Sequence, residues 1–172
     1  MLKLAGAILI LVSATGIGAS YSVDLKKRCR ELRILKQMLY MLRGEIKYTK
    51  TPLPEAFPRM ALRLPEPFSS FLERTAEEMA HLDGRPFAEL WQDQIRRQLS
   101  GTHLKREDKE QLCTLGEVLG YLDLEMQLSA IELYLEQLEL GIRNAQETMA
   151  AKQKLYQSLG VAGGAFLVIL LV

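Results

Sequence analysis

Along the last third of the chain, apolar residues recur at spacings that alternate between four and three: Leu124, Leu128, Ile131, Leu135, Leu138, Ile142, Ala145, Met149 and Tyr156, with Lys152 as the break. This period predicts a helix that lies with one face on other helices. Beyond Lys154 charge ceases, and the chain runs uncharged from Leu155 into the apolar stretch Ala165 to Val172. At the other end, Leu4 to Val23 is equally free of charge, and its helical length of about 30 Å matches the hydrocarbon core of a bilayer. A second heptad seam follows in Leu25, Leu32, Leu35, Leu39, Leu42 and Ile46.

Between these long segments the pattern is punctuated by proline and glycine. Thr51, Pro52 and Glu55 read as a helix start, with a capping hydroxyl, a proline at the first helical position and an acid in the first turn. Pro58 is expected to bend or end that short helix, and Leu64 to Pro67 to form a stiff turn. Phe68, Phe71, Leu72, Ala76 and Met79 mark the next helix, closed by Asp83 and Gly84. After Pro86 a further helix buries Phe87, Leu90, Trp91, Gln94, Ile95 and Leu99, and Gly101 stops it. The fifth runs from near Lys105 to Gly120 with Leu112, Leu115 and Leu119 in phase. Gly116 and Gly120 share a face that admits the close approach of a neighbouring backbone, and Asp123 is placed to cap the sixth helix. No strand-like alternation interrupts the series, so the class is all-α: about six helices in a bundle, 24–157, between hydrophobic segments 1–23 and 158–172.

Composition adds little to this picture and removes a good deal. A formal net charge of +1 over 172 residues gives no global pull toward nucleic acid. Local charge is more telling, because Lys26, Lys27, Arg28, Arg30 and Arg33 follow the N-terminal segment while only Lys3 and the α-amine precede it. Small residues Gly18, Ala19 and Ser20 leave a cleaved signal peptide as an alternative, and a buried helix as another. The flanks favour an uncleaved anchor with its basic side in the cytosol. At the C-terminal end Lys152 and Lys154 flank a segment whose last eighteen residues reach about 27 Å as a helix, enough for a thin or adapted bilayer. A tail that only dips into the interface is the alternative. Gly160 and Gly164 there form a small-xxx-small pair suited to packing against another span.

Catalytic chemistry is hard to find. The chain has no phosphate-cradling glycine loop followed by Lys and Ser or Thr. Its two cysteines, Cys29 and Cys113, lack CxxC spacing and read as small hydrophobes. Glu77, His81, His103 and Cys113 are the only thinkable metal or catalytic centre, and their spacing is weak. Glu132, Glu136 and Glu139 fall on the polar side of the long helix as a solvated face. No catalytic, cofactor-binding or metal residue is assigned.

The ordered combination of the N-terminal anchor, Leu32-Arg33, Glu45-Ile46-Lys47-Tyr48, Thr51-Pro52-Leu53-Pro54-Glu55-Ala56, Trp91, Leu115-Gly116, Leu119-Gly120, Asp123, Gln127 and Leu159-Gly160-Val161 resembles the stage III sporulation protein AB family. The resemblance covers essentially the whole chain, with Pro58 as the departure. It implies a place in the channel-like complex that joins mother cell and forespore in endospore-forming bacteria. It also implies a single copy of the helical cytoplasmic domain of F-type platform proteins from type II secretion and type IV pilus machines. The implied role is that of a membrane platform or adaptor without catalysis. It would couple a secretion-type ATPase, stage III sporulation protein AA, to the other membrane components. The alternative is a static scaffold without ATPase coupling. The expected location is the mother-cell membrane around the forespore, with the bundle in the mother-cell cytosol. The bilayer would be a partner, with no nucleic acid and no small-molecule substrate. Arg30, Arg33, Glu45, Tyr48, Thr51, Pro52 and Leu53 are the candidate partner-binding residues.

Overall fold

Helix α1 (Leu2–Gly44) and helix α6 (Leu124–Leu171) are the two long elements of the fold. In this computed structural model the described backbone covers residues 2–81, 84–120 and 123–171, and side chains are described for 23–81, 84–120, 123–151 and 155. A π-helical turn (Glu45–Thr49) ends α1. It leads into α2 (Leu53–Ala61), α3 (Phe68–Ala80), α4 (Phe87–Gln98) and α5 (Arg106–Leu119). Among the described residues all regular structure is helical.

The heptad seams decide how the long helices meet. Leu32, Leu35, Leu39, Leu42 and Ile46 are all buried, as are Ile131, Leu135, Leu138 and Ala145 on α6. Lys36 reaches Glu139 at 2.7 Å and Arg43 lies 3.9 Å from Glu132. These pairs fix α1 and α6 as antiparallel neighbours, so that Val23 and Ala151 stand at one end and the π-turn and Leu124 at the other. Cross-helix ion pairs of this exposed kind orient rather than stabilise.

The short helices fill the remaining side. Each sequential pair from α2 to α6 is in contact, and the common core is aromatic at its centre. Trp91 is fully buried, with Phe71 edge-on at 4.7 Å and Phe87 and Phe57 at 5.5 and 5.8 Å between ring centroids. Its indole N–H donates to the Leu112 carbonyl at 2.8 Å, which satisfies the one polar atom that burial would otherwise strand. A Cβ added at Gly116 would stand 2.1 Å from the indole. The close approach expected at Gly116 and Gly120 is therefore made by side chains, Trp91 at the first and Phe87 at the second, rather than by a neighbouring backbone.

Several helix boundaries fall where the sequence puts them. Asp123 Oδ1 accepts the backbone N–H groups of Glu125 and Met126 at 2.9 and 3.2 Å, and Gly84 has a left-handed φ of 77° after α3, while Asp83 lies outside the described residues. Pro58 lies inside α2 without ending it. The helix is only nine residues long, and the one carbonyl deprived of a partner, that of Pro54, belongs to its first turn.

Among the described residues no helix is long and apolar enough to cross a membrane. Apart from Val23 and Leu155, the two uncharged segments, with Lys152, Lys154, Gly160 and Gly164, lie outside the residues whose side chains are described.

Candidate partner-docking site

The chain reverses from α1 into α2 through a wide, π-helical turn. Lys50 is left-handed at φ 51°, and its N–H closes the π-turn onto the Glu45 carbonyl, which the Thr51 N–H also approaches at 3.3 Å. The Thr49 hydroxyl sits 2.6 Å from that carbonyl and 2.9 Å from the Glu45 carboxylate, and the Thr51 hydroxyl donates to Thr49 at 2.9 Å. Arg59 from α2 reaches the same carboxylate at 3.2 Å. Glu45 thus ties the end of α1 to α2.

This arrangement corrects the expected cap. No side chain caps α2, and Pro52 occupies the N-cap with helical structure beginning at Leu53. The left-handed step at Lys50 turns the Thr51 hydroxyl back onto Thr49, so it is spent before it can reach the new helix.

Beside the turn is an open groove of about 550 Å³. It is lined by Ile46, Thr51, Pro52, Leu53 and Pro54 from the α1–α2 reversal, Met79 and Phe87 from α3 and α4, and Leu119, Gly120, Leu124 and Gln127 around the α5–α6 junction, with Lys50 at its edge. Gln127 braces that junction by donating to the Leu119 carbonyl at 3.0 Å. The groove is mostly apolar and opens at the end of the bundle opposite Val23 and Ala151. Apolar, pre-formed concavities of this kind bind side chains of a partner or a ligand.

The seven candidate residues divide between two places. Thr51, Pro52 and Leu53 line the groove. Glu45 and Tyr48 belong to the adjoining turn, Glu45 engaged internally and Tyr48 77% exposed with the Lys47 ammonium 5.6 Å from its ring. Arg30 and Arg33 lie elsewhere, exposed on the outer face of α1, about 18 Å along the helix from Glu45 to the nearer of them.

The remaining basic residue of interest, Arg28, is not a surface charge. It forms a bidentate pair with Asp108 of α5, both contacts at 2.8 Å, and side chains only 12% and 8% exposed. The hydrogen bond to Asp108 holds the guanidinium above its ordinary pKa. Asp108 also accepts the Lys105 N–H at 2.8 Å, closing the first turn of α5, and its carbonyl lies 3.3 Å from the Tyr134 hydroxyl of α6. Burial pushes the Tyr134 phenol well above its usual value. Sequence reading passed over this junction, although its signal is present: Asp108 falls in phase with Leu104, Leu112, Leu115 and Leu119, and a charge in the core register demands a buried partner.

The structure does not gather Glu77, His81, His103 and Cys113 into a centre. Glu77 pairs with Arg74 at 2.7 Å, and the His103 ring lies 3.2 Å from Glu31 and 3.6 Å from Asp24. Burial raises the Cys113 thiol, the opposite of an activated nucleophile. Among the described residues no three His, Cys, Asp or Glu side chains form a metal-binding group, and no buried side-chain N or O lacks a hydrogen-bond partner.

Comparison with known proteins agrees across the chain. The family described as stage III sporulation protein AB matches residues 3–172. Stage III sporulation protein AB of Bacillus subtilis (strain 168) is 32% identical over 172 residues, which cover 99% of each chain. A solved structure of a stage III sporulation protein AB is similar with a TM-score of 0.67 and 27% identity, covering 72% of this chain and 97% of that one.

Proposed function

Because the chain belongs to the stage III sporulation protein AB family, with a role in sporulation, we propose that it is the membrane platform of the channel complex between mother cell and forespore. In this role the groove at the free end of the bundle docks the sporulation ATPase, stage III sporulation protein AA. The observation that carries the proposal is the placement of the groove. The antiparallel α1–α6 pair puts both uncharged segments at one end and the apolar groove at the other, where a cytosolic partner has access. With Arg28 committed to Asp108, the charges left to hold the basic side in the cytosol are Lys26, Lys27, Arg30 and Arg33, which suffice for the positive-inside rule. The bundle then stands in the mother-cell cytosol on two spans, in the membrane around the forespore, beside the other membrane components. Coupling in the manner of the F-type platforms of type II secretion is part of the same proposal, with α6 as the connection from groove to membrane.

The test is binding of the purified ATPase to the full chain in nanodiscs, with and without nucleotide. Leu53→Asp places a charge in the groove at a half-buried position. It is expected to weaken binding by about tenfold or more, as loss of a hydrophobic anchor does, with the helical content unchanged. Nucleotide-dependent affinity supports coupling. Absence of binding by the folded chain assigns it instead to static scaffolding through its membrane segments.

A further inference from the structure

The outward faces of the two long helices carry opposite charge. On α1 and the π-turn that ends it, Lys26, Arg30, Arg33, Gln37, Tyr40 and Lys47 follow one another at spacings that keep them on a single exposed face. No acidic side chain interrupts it, and Lys26, Arg30 and Arg33 make no ion pair with the described residues. On α6, Met126, Leu133 and Leu140 recur at heptad spacing, each about half exposed, on the side away from Ile131, Leu135 and Leu138. Glu125, Glu136 and Glu147 border that stripe, exposed and unpaired among the described residues, of which Arg143 is the one cation beside them. By contrast Glu132 and Glu139, nearer the seam, are taken by Arg43 and Lys36 of the same chain.

Single exposed apolar side chains need no explanation, but a methionine and two leucines in a heptad row beside unpaired acids are the pattern of a helix that meets another helix. The helix that complements them is present in the same protein. The basic face of α1 and the acidic face of α6 are opposite in net charge and span similar lengths, about 32 Å each at the helical rise. We propose that these two faces are the halves of a self-association surface, α1 of one copy lying antiparallel on α6 of a second copy.

The level at which they meet rests on the membrane orientation proposed above. If both ends of every copy enter one bilayer, copies stand at equal height and the register between copies repeats the register within each. Arg33 then comes opposite Leu140, Tyr40 opposite Leu133, and Lys26 beside Glu147. The charge complementarity does not depend on that orientation.

The experiment uses the full chain in nanodiscs of zwitterionic lipid, with Cys29→Ala and Cys113→Ala as the background. Differently tagged copies carrying Arg33→Cys and Leu140→Cys are mixed and oxidised, and a disulfide between the two is expected. Lys26→Glu with Arg33→Glu is expected to weaken association by about tenfold or more, since these acids then lie beside Glu147 and one turn from Glu136. Adding Glu136→Lys and Glu147→Lys to the second copy restores it. A charge-dependent association whose cross-links form only at a shifted position, such as Arg33→Cys with Met126→Cys, supports the paired faces and overturns the common membrane level. Monomers throughout, or Leu140→Cys copies linking only to one another, overturn the proposal. It is also overturned if the α6 reversals are silent and the α1 reversals change only binding to anionic lipid, because the basic face then serves a lipid surface.

Discussion

Gly116 is where the packing leaves least room. The indole of Trp91 already occupies the space in which a methyl group at residue 116 would sit, and it is held there by Phe71, Phe57, Phe87 and the bond to Leu112. Gly116→Ala is therefore expected to destabilise the fold by about 1–3 kcal/mol through overpacking, despite the gain in helix propensity. Gly141 on α6 makes the useful contrast, because an added Cβ there meets only Leu32 Cδ1 at 3.7 Å, an ordinary contact. Gly141→Ala should stabilise by up to about 1 kcal/mol. Urea denaturation of both variants checks the pair, and equal effects would mean that Trp91 can move aside. Heptad phase alone put Gly116 on the inner face of α5; which group approaches it depends on how α4 crosses α5, which no local pattern encodes.

Among the elements, those that rest on apolar periodicity were legible and those that rest on polar pairing were not. The buried positions of α1, α3 and α4 follow the spacing of their apolar residues almost residue for residue, and even Gln94, placed inside by phase, is buried. The candidate site was half legible. Thr51, Pro52 and Leu53 stood out as a helix start and do line the groove, but its other wall comes from Met79, Phe87 and the α5–α6 junction, distant in sequence. Arg28 was hidden in a run of like charges, and its partner lies eighty positions away on α5. That pair joins the start of α1 to the first turn of α5, and through the Asp108 carbonyl to Tyr134 of α6. Asp108→Ala removes the acceptor of both the guanidinium and the Lys105 N–H, and leaves Arg28 largely buried without a counter-charge. The expected cost is about 3 kcal/mol, the scale for breaking one side of a buried pair. Hydrogen exchange should show it first as lost protection in the first turn of α5. A loss confined to α1 would place the weight of the junction elsewhere.

At the scale of the whole molecule, the feature that distinguishes a coupling platform from a scaffold is the continuity of α6. It is one helix from Leu124, beside the groove, to Leu171, a length of about 72 Å at the helical rise. A displacement imposed on the groove end can therefore reach the far end without crossing a flexible joint. Continuity permits such transmission and does not by itself establish it. Two insertions at Gln157 separate the possibilities. A short Gly/Ser insert breaks the helix, whereas a helical insert of one heptad lengthens it by about 10.5 Å but keeps its phase and stiffness. If movement of the bundle drives the complex, the flexible insert should abolish spore formation while leaving ATPase binding at the groove unchanged, and the heptad insert should be tolerated better. Normal spore counts with the flexible insert would remove the lever and leave a tether. Failure of both inserts with loss of membrane association would trace the defect to anchoring, because stiffness is preserved in only one of them.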